Sequence, residues 1–406
     1  MPRARAAIVD ALDWIVPKAL LRLVLHPKLH AIIGLDRIDA VGVWIDNNFM
    51  VKRRQKKTQD QRIDTATRDY LKTRFCANPF RQLETAQTGL AYVCCPVWLP
   101  TPIGKLDSDA LDLWRGKEAS EIRESILDGS FRFCNHVHCP SISGRTLPSI
   151  ESPESKEWIR RHGEGEPRLP EHLVLSHDKS CNLSCPSCRS SIYMANSSKQ
   201  NQLDELTEKR LLPLMREAKS VMITGSGDPF GSKHFRNLIA RLNGGEFPGL
   251  TMDLISNGQL WDERAWLDLK LDGRVRYAQI SVDATQAETY AIVRRGGQFA
   301  RLRKNLAFIH ELRHTGQLTF LELSMVVQAL NYREMPDFVR LGEEFGADKI
   351  TFNMIRQRDI FSREEFVKAF IGSPDHPEHE LFRQVLLAPE LTQPNVQIGN
   401  VREYAK

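Results

Sequence analysis

Between residues 173 and 355 the chain alternates two kinds of hydrophobic pattern. Short apolar runs have the length and composition of buried strands: LVLS (173–176), SVMIT (220–224), LTMDLIS (250–256), YAQISVD (277–283), LTFLELSMVVQ (318–328) and KITFNMI (349–355). Between them lie stretches with apolar residues at helical spacing, such as SKHFRNLIARLN (232–243) and REMPDFVRLGEEFG (333–346). Strand–helix units in series predict a parallel sheet, because parallel neighbours need a long crossover. Right-handed crossovers curl six such units into a partial barrel. The expected fold class is therefore α/β, a partial (β/α)6 barrel over residues 173–358.

The flanks read differently. Residues 1–65 form a basic, helical entry segment. WIVPKALLRLVLHPKLHAIIG (14–34) has roughly helical apolar spacing and suits a helix packed on its own protein or lying on a membrane surface. Residues 66–145 hold a small cysteine-rich domain. Residues 146–172 belong to a Pro-, Gly- and Ser-rich stretch that reads as a linker with one short helix. The tail, 359–406, contains FSREEFVKAFIG and HPEHELFRQVLLAPEL, expected as helices.

Composition adds limits. The chain of 406 residues has room for one large domain and a smaller one. Its net charge of +5 is uneven: residues 1–57 carry 11 Lys and Arg against 5 Asp and Glu. VKRRQKK (51–57) reads as a solvated face, with peripheral contact to an acidic partner as the alternative. Asp10, Asp13 and Lys18 interrupt any signal-peptide core, and no apolar run is long enough to span a bilayer. A cytoplasmic protein with no transmembrane segment is expected.

The cysteines change the picture most. All eight fall between residues 76 and 188: Cys76, Cys94, Cys95, Cys134, Cys139, Cys181, Cys185 and Cys188. Core thiols placed at random would scatter, so clustering argues for metal or catalysis. CNLSCPSC (181–188) follows a strand and offers three thiols at gaps of three and two residues. Three thiolates serve three irons of a cubane and leave the fourth iron for a cofactor or substrate.

This motif resembles the three-cysteine loop of radical S-adenosylmethionine (SAM) enzymes, and the strand–helix series is similar to their six-stranded barrel. The resemblance implies a 4Fe-4S cluster on Cys181, Cys185 and Cys188, with SAM chelated at the open iron. It implies reductive cleavage of SAM and hydrogen abstraction from a substrate by a 5′-deoxyadenosyl radical. The family often has an aromatic residue before the last cysteine; here it is Ser187. MITGSGDPF (222–230) is similar to the family's glycine-rich turn, whose backbone holds the SAM ammonium; it puts Gly225, Ser226, Gly227, Asp228 and Pro229 in the cofactor site, with Asp-Pro in place of the frequent Glu-Pro. Asn257 in ISNGQ and Ser281 in ISVDA resemble further cofactor positions, Ser281 meeting the ribose and Asp283 facing the substrate. TYAIVRRGGQFARLRKNL (289–306) resembles the helix that follows, with Arg294 pairing with the SAM carboxylate.

Cys76, Gly89 and Cys94 resemble the start of the auxiliary-cluster module called SPASM, or its shorter twitch relative. Joined by Cys134 and Cys139 they imply one closed auxiliary 4Fe-4S site, carried on a hairpin at QTGLAYVCCP (87–96). Here the module precedes the barrel, whereas in most relatives it follows. Cys95 is then spare, a candidate hydrogen-atom donor or a buried hairpin thiol. Zinc competes for the auxiliary site, and CNHVHC offers His136 and His138 as substitutes.

The leading expectation is an enzyme that oxidises, epimerises or cross-links a peptide or a carbohydrate-like small molecule, reduced by a donor such as flavodoxin or ferredoxin. An iron–sulfur carrier or sensor would not need the glycine turn. A zinc-stapled nucleic-acid binder would interleave aromatic residues with its basic run, and this one does not, so no nucleic acid is expected.

Overall fold

A computed structural model describes residues 43–165, 169–223, 226–357 and 361–404. The apolar stretch 14–34 and Gly225 lie outside the described residues. The chain divides into two compact units, residues 1–177 with 206–218 and residues 178–205 with 219–406.

In the first unit a π turn, Asp46–Met50, runs into helix α1 (Val51–Gln59). Val51 and Thr58 are buried while Lys52, Arg53, Arg54, Lys56 and Lys57 are exposed, so the basic run is a solvated helix face. Strands β1 (Gln82–Ala86) and β2 (Leu90–Tyr92) form the expected antiparallel hairpin. Strand β3 (Gly104–Lys105) pairs with β2, and β4 (His172–Ser176) lies parallel to β1 on its other side. Helix α2 (Lys117–Leu127) buries Ala119, Ile122 and Ile126 at helical spacing. Its Arg123 is also buried and donates to the carbonyls of Pro79 and Trp114.

The stretch expected as a linker contains helix α3 (Pro153–Gly163), capped by Ser152. It is not free chain. Arg74 bridges to Ser149, Phe75 N–H donates to the Pro148 carbonyl, and Ile150 N–H donates to that of Thr73. Pro and Gly marked turns here, but these backbone pairings are long-range and leave no local pattern.

The second unit is a parallel sheet of β5 (Ser220–Ile223), β6 (Thr251–Ser256), β7 (Val275–Ser281), β8 (Phe320–Val327), β9 (Lys349–Met354) and β10 (Val396–Gln397), hydrogen-bonded in that order. One face is fully buried: Val221, Ile223, Met252, Leu254, Ala278, Ile280, Leu321, Leu323, Ile350 and Phe352. Helices with apolar stripes suit such a face. Helix α4 (Lys233–Leu242), capped by Ser232, buries Phe235, Leu238, Ile239 and Leu242. Helices α5 (Glu263–Asp268), α6 (Ala287–Val293), α7 (Phe299–His314) and α8 (Met335–Glu344) occupy later crossovers. The fold is thus mixed α/β with a parallel sheet, as expected.

Two expectations need correction. The single helix read over 289–306 is two, α6 and α7, broken at Arg294–Gln298. Gly296 takes φ +93°, outside helical space, and paired glycines favour such a break. The tail has the short helices Arg363–Ala369 and His379–Val385, but it also adds β10 in register with β9, Val396 beside Ile350. A two-residue strand is too short to show a period. Among the described residues no helix is long and apolar enough to cross a membrane.

Candidate functional site

The second unit gathers most of the expected cofactor residues around the thiols. Cys181 and Cys185 are buried, and Cys188 packs against them. The loop is fixed from several sides. Cys181 N–H donates to the Tyr193 carbonyl, and both Cys188 and Arg189 N–H donate to that of Cys185. Asp178 accepts from the Ser180 backbone and hydroxyl and, at 2.5 Å, from the Ser232 hydroxyl that also caps α4.

The glycine turn sits directly on this loop. Asp228 N–H donates to the Ser180 carbonyl at 2.9 Å. A Cβ on Gly227 would lie 2.4 Å from the Ser180 carbonyl oxygen and 2.8 Å from that of Asp178. Gly227 is required by that approach. Gly227→Ala is expected to cost about 1–3 kcal/mol, as overpacking usually does, and to displace the cysteine loop. Thermal unfolding and iron retention would show both effects.

Asp228 is almost wholly buried, and its carboxylate is used internally. One oxygen accepts from Phe230 and Gly231 N–H, the other from the Ser256 hydroxyl and Asn257 N–H. Burial raises its pKa against these bonds. The residue expected to touch cofactor is therefore built as a hub joining the glycine turn to the Asn257 turn. Pro229 beside it is buried, and Ser226 offers its carbonyl to Arg189.

Asn257 Nδ2 lies 3.7 Å from Cys181 Sγ and donates to Asn182 Oδ1 at 2.9 Å. Gln259, in the same turn, bonds Tyr290 and Gln298, and Asn305 donates to the Gly258 carbonyl, tying the turn to α6 and α7. The break between those helices delivers two arginines to the cysteine loop. Arg295 clamps it through Ser184 and Ser190. Arg294 Nη1 lies 3.8 Å from Cys185 Sγ.

Asp283 and Arg294, read separately from sequence, form one pair. Arg294 Nη2 is 2.9 Å from Asp283 Oδ2, a close ion pair without hydrogen-bond alignment. Asp283 has φ +67°, a conformation non-glycine residues rarely adopt. Val326 N–H donates to its carboxylate and Asn331 to its carbonyl. Arg294 Nε is buried with no hydrogen-bond partner, a donor that a bound carboxylate would satisfy.

Ser281 ends β7 and accepts from Ser324 at 3.4 Å. It starts a row of hydroxyls across adjacent strands, Ser281, Ser324 and Thr351. Thr351 Oγ1 is buried with no partner. The row below is Gln279, Glu322 and Lys349, where Glu322 pairs with Lys349 at 3.0 Å and accepts from Tyr277 at 2.9 Å. This face is polar but internally charge-balanced.

In the first unit Cys76, Cys94, Cys134 and Cys139 line one cavity with Pro79, Leu99, Phe131 and Leu147. Burial pushes the Cys76 thiol up to about 11 and those of Cys94 and Cys134 well above their ordinary value. Neighbouring thiols add to the shift at all three. Buried, mutually repelling sulfurs suit a cationic metal core, which binds thiolates outright. Cys95, His136 and His138 do not line the cavity. His136 instead meets the Phe131 carbonyl, and His138 is exposed. Among the described residues no three His, Cys, Asp or Glu are arranged to hold a single metal ion. Cys95→Ala is expected to keep the full iron content; loss of iron on assay would put Cys95 among the ligands.

Sequence reading missed Arg189, Asp178 and Gln259. Only adjacency to Cys188 pointed to Arg189, and the others act through contacts made by folding.

Residues 175–341 match the model of the Radical SAM superfamily, so the chain carries a radical SAM domain. No curated protein matches the sequence. Among solved structures, SuiB of Streptococcus suis bound to S-adenosylmethionine is similar at 15% identity, covering 69% of this chain and 61% of that one, with a TM-score of 0.37. TsrM of Kitasatospora setae, a radical S-adenosylmethionine methyltransferase with cobalamin and a 4Fe-4S cluster bound, shows 13% identity over 48% of this chain and 39% of that one, TM-score 0.35. The anSMEcpe structure with AdoMet and a peptide shows 16%, over 50% and 58%, TM-score 0.33. The chain thus spans about 61% of SuiB's length.

Proposed function

We propose that the chain is a radical SAM enzyme acting on a polar substrate, with Cys181, Cys185 and Cys188 holding the SAM-binding 4Fe-4S cluster. The carrying observation is that the thiol loop, the glycine turn at Gly227–Asp228, the Asn257 turn and Arg294 converge in one hydrogen-bonded assembly. Such a cluster supplies reductive cleavage of SAM and a radical that takes hydrogen from substrate. The protein's part is to fix three thiolates and leave one iron open. By the family resemblance the backbone of the glycine turn would hold the SAM ammonium, and Arg294 offers a free Nε–H for the carboxylate. Ser281 would meet the ribose.

The hydroxyl row at Ser281, Ser324 and Thr351 supports a substrate that makes hydrogen bonds and carries no net charge at the reacting group, either a carbohydrate-like molecule or a peptide backbone. Cys76, Cys94, Cys134 and Cys139 would hold the auxiliary 4Fe-4S cluster. A cubane spreads four thiolates over its corners and does not need them gathered round one point. An electron donor such as flavodoxin or ferredoxin completes the scheme.

The test is anaerobic reconstitution with iron and sulfide, then dithionite and SAM, with 5′-deoxyadenosine read by mass. Its formation supports the enzyme. Reversible reduction with no SAM cleavage, with or without candidate substrates, would favour an electron carrier.

A further inference from the structure

Two thiols of the 181–188 loop each meet a side-chain donor brought from a distant place in the second unit, and a cation stands next to the third in sequence. Asn257 Nδ2 approaches Cys181 Sγ at 3.7 Å, and Arg294 Nη1 approaches Cys185 Sγ at 3.8 Å. Arg189 follows Cys188 directly in the chain. None of the three is loose. Asn257 is held by Asn182 and by Asp228 through its backbone. Arg294 is held by Asp283, whose unusual backbone is fixed by Val326 and Asn331. Arg189 donates to the carbonyls of Lys179, at 2.6 Å, and Ser226.

The two cations differ in one respect. Arg294 faces the buried carboxylate of Asp283, which offsets its charge. Arg189 is hydrogen-bonded to carbonyl oxygens, so its charge is not offset in the same way. Donors to cluster sulfurs and nearby positive charge favour the reduced, more negative state and raise its potential.

We propose that Arg189, Arg294 and Asn257 set the reduction potential of the cluster on Cys181, Cys185 and Cys188, with Arg189 contributing most and Asp283 acting as the restraining counter-charge on Arg294. This rests on the radical SAM reading above. Arg189 and Asp283 are here positioning and tuning residues.

The experiment is an anaerobic redox titration of the full chain, following the electron paramagnetic resonance signal that changes when SAM is added. Arg189→Gln should lower the midpoint by at least a tenfold change in the reduction equilibrium, about 59 mV for one electron. Arg189→Lys, which keeps the charge, should recover most of that shift. Arg294→Gln should lower the midpoint by less, Asn257→Ala by less again, and Asp283→Asn should raise it. Iron content of each variant shows that the cluster is intact. A SAM-responsive signal whose midpoint stays put in both arginine variants overturns the inference and leaves the enzyme reading standing. A wild type with no SAM-responsive signal overturns both.

Discussion

Cys188→Ala should abolish 5′-deoxyadenosine formation, by more than about a hundredfold, while leaving the protein folded. Loss of an outer partner of a metal ligand already costs about 10–100-fold, and Cys188 is proposed as a ligand itself. No other cysteine lies beyond residue 188, and the other thiols of the second unit, Cys181 and Cys185, are already committed. Two irons would then lack a protein thiolate. The fold should survive because Cys188 is only partly buried and packs on the edge of the Cys181–Leu183–Cys185 cluster. Loss of a small, half-buried side chain falls near the usual ~1 kcal/mol of point mutants. Mass detection of 5′-deoxyadenosine beside a thermal unfolding curve checks both halves. Wild-type product yield from Cys188→Ala would sink the assignment of the loop.

How far the sequence reached depends on what kind of signal each feature leaves. Strands β4 to β9 were legible because a buried parallel strand is a short apolar run bounded by turn residues, and each began and ended within two residues of its pattern. The thiols were legible through spacing alone. The Asp283–Arg294 pair was not, since it joins a strand end to a helix end through a positive-φ turn that only folding reveals. Asp228 shows the same limit from the other side. The sequence put it in the glycine turn as a cofactor residue, but its carboxylate holds Ser256 and Asn257, residues nearly thirty positions on. Arg189 had no pattern at all: a cation after a cysteine motif is ordinary until its guanidinium is found on the carbonyls of Lys179 and Ser226. Chemistry that needs residues of one type at fixed spacing shows in sequence, whereas chemistry that needs a charge aimed from a distant turn does not.

Cys134→Ala should remove about four of about eight irons per chain, the content of one of two cubanes, and keep the SAM-responsive signal. Cys134 is buried, lines the same cavity as Cys76, Cys94 and Cys139, and is placed by its N–H bond to the Phe131 carbonyl. All four cavity thiols lie in the first unit, and Cys181, Cys185 and Cys188 lie in the second, so the two losses should be separable. The variant should also unfold at a lower temperature. A metal core shared by Cys94 and Cys134 closes the long loop between them, and releasing it restores that loop's freedom to the chain. Buried thiols that repel one another have no comparable reason to stay together. Metal analysis of the wild type decides the occupant: about eight irons and no zinc fit two cubanes, whereas about four irons with one zinc, the zinc lost in Cys134→Ala, would make the first unit a zinc-stapled module with no auxiliary cluster.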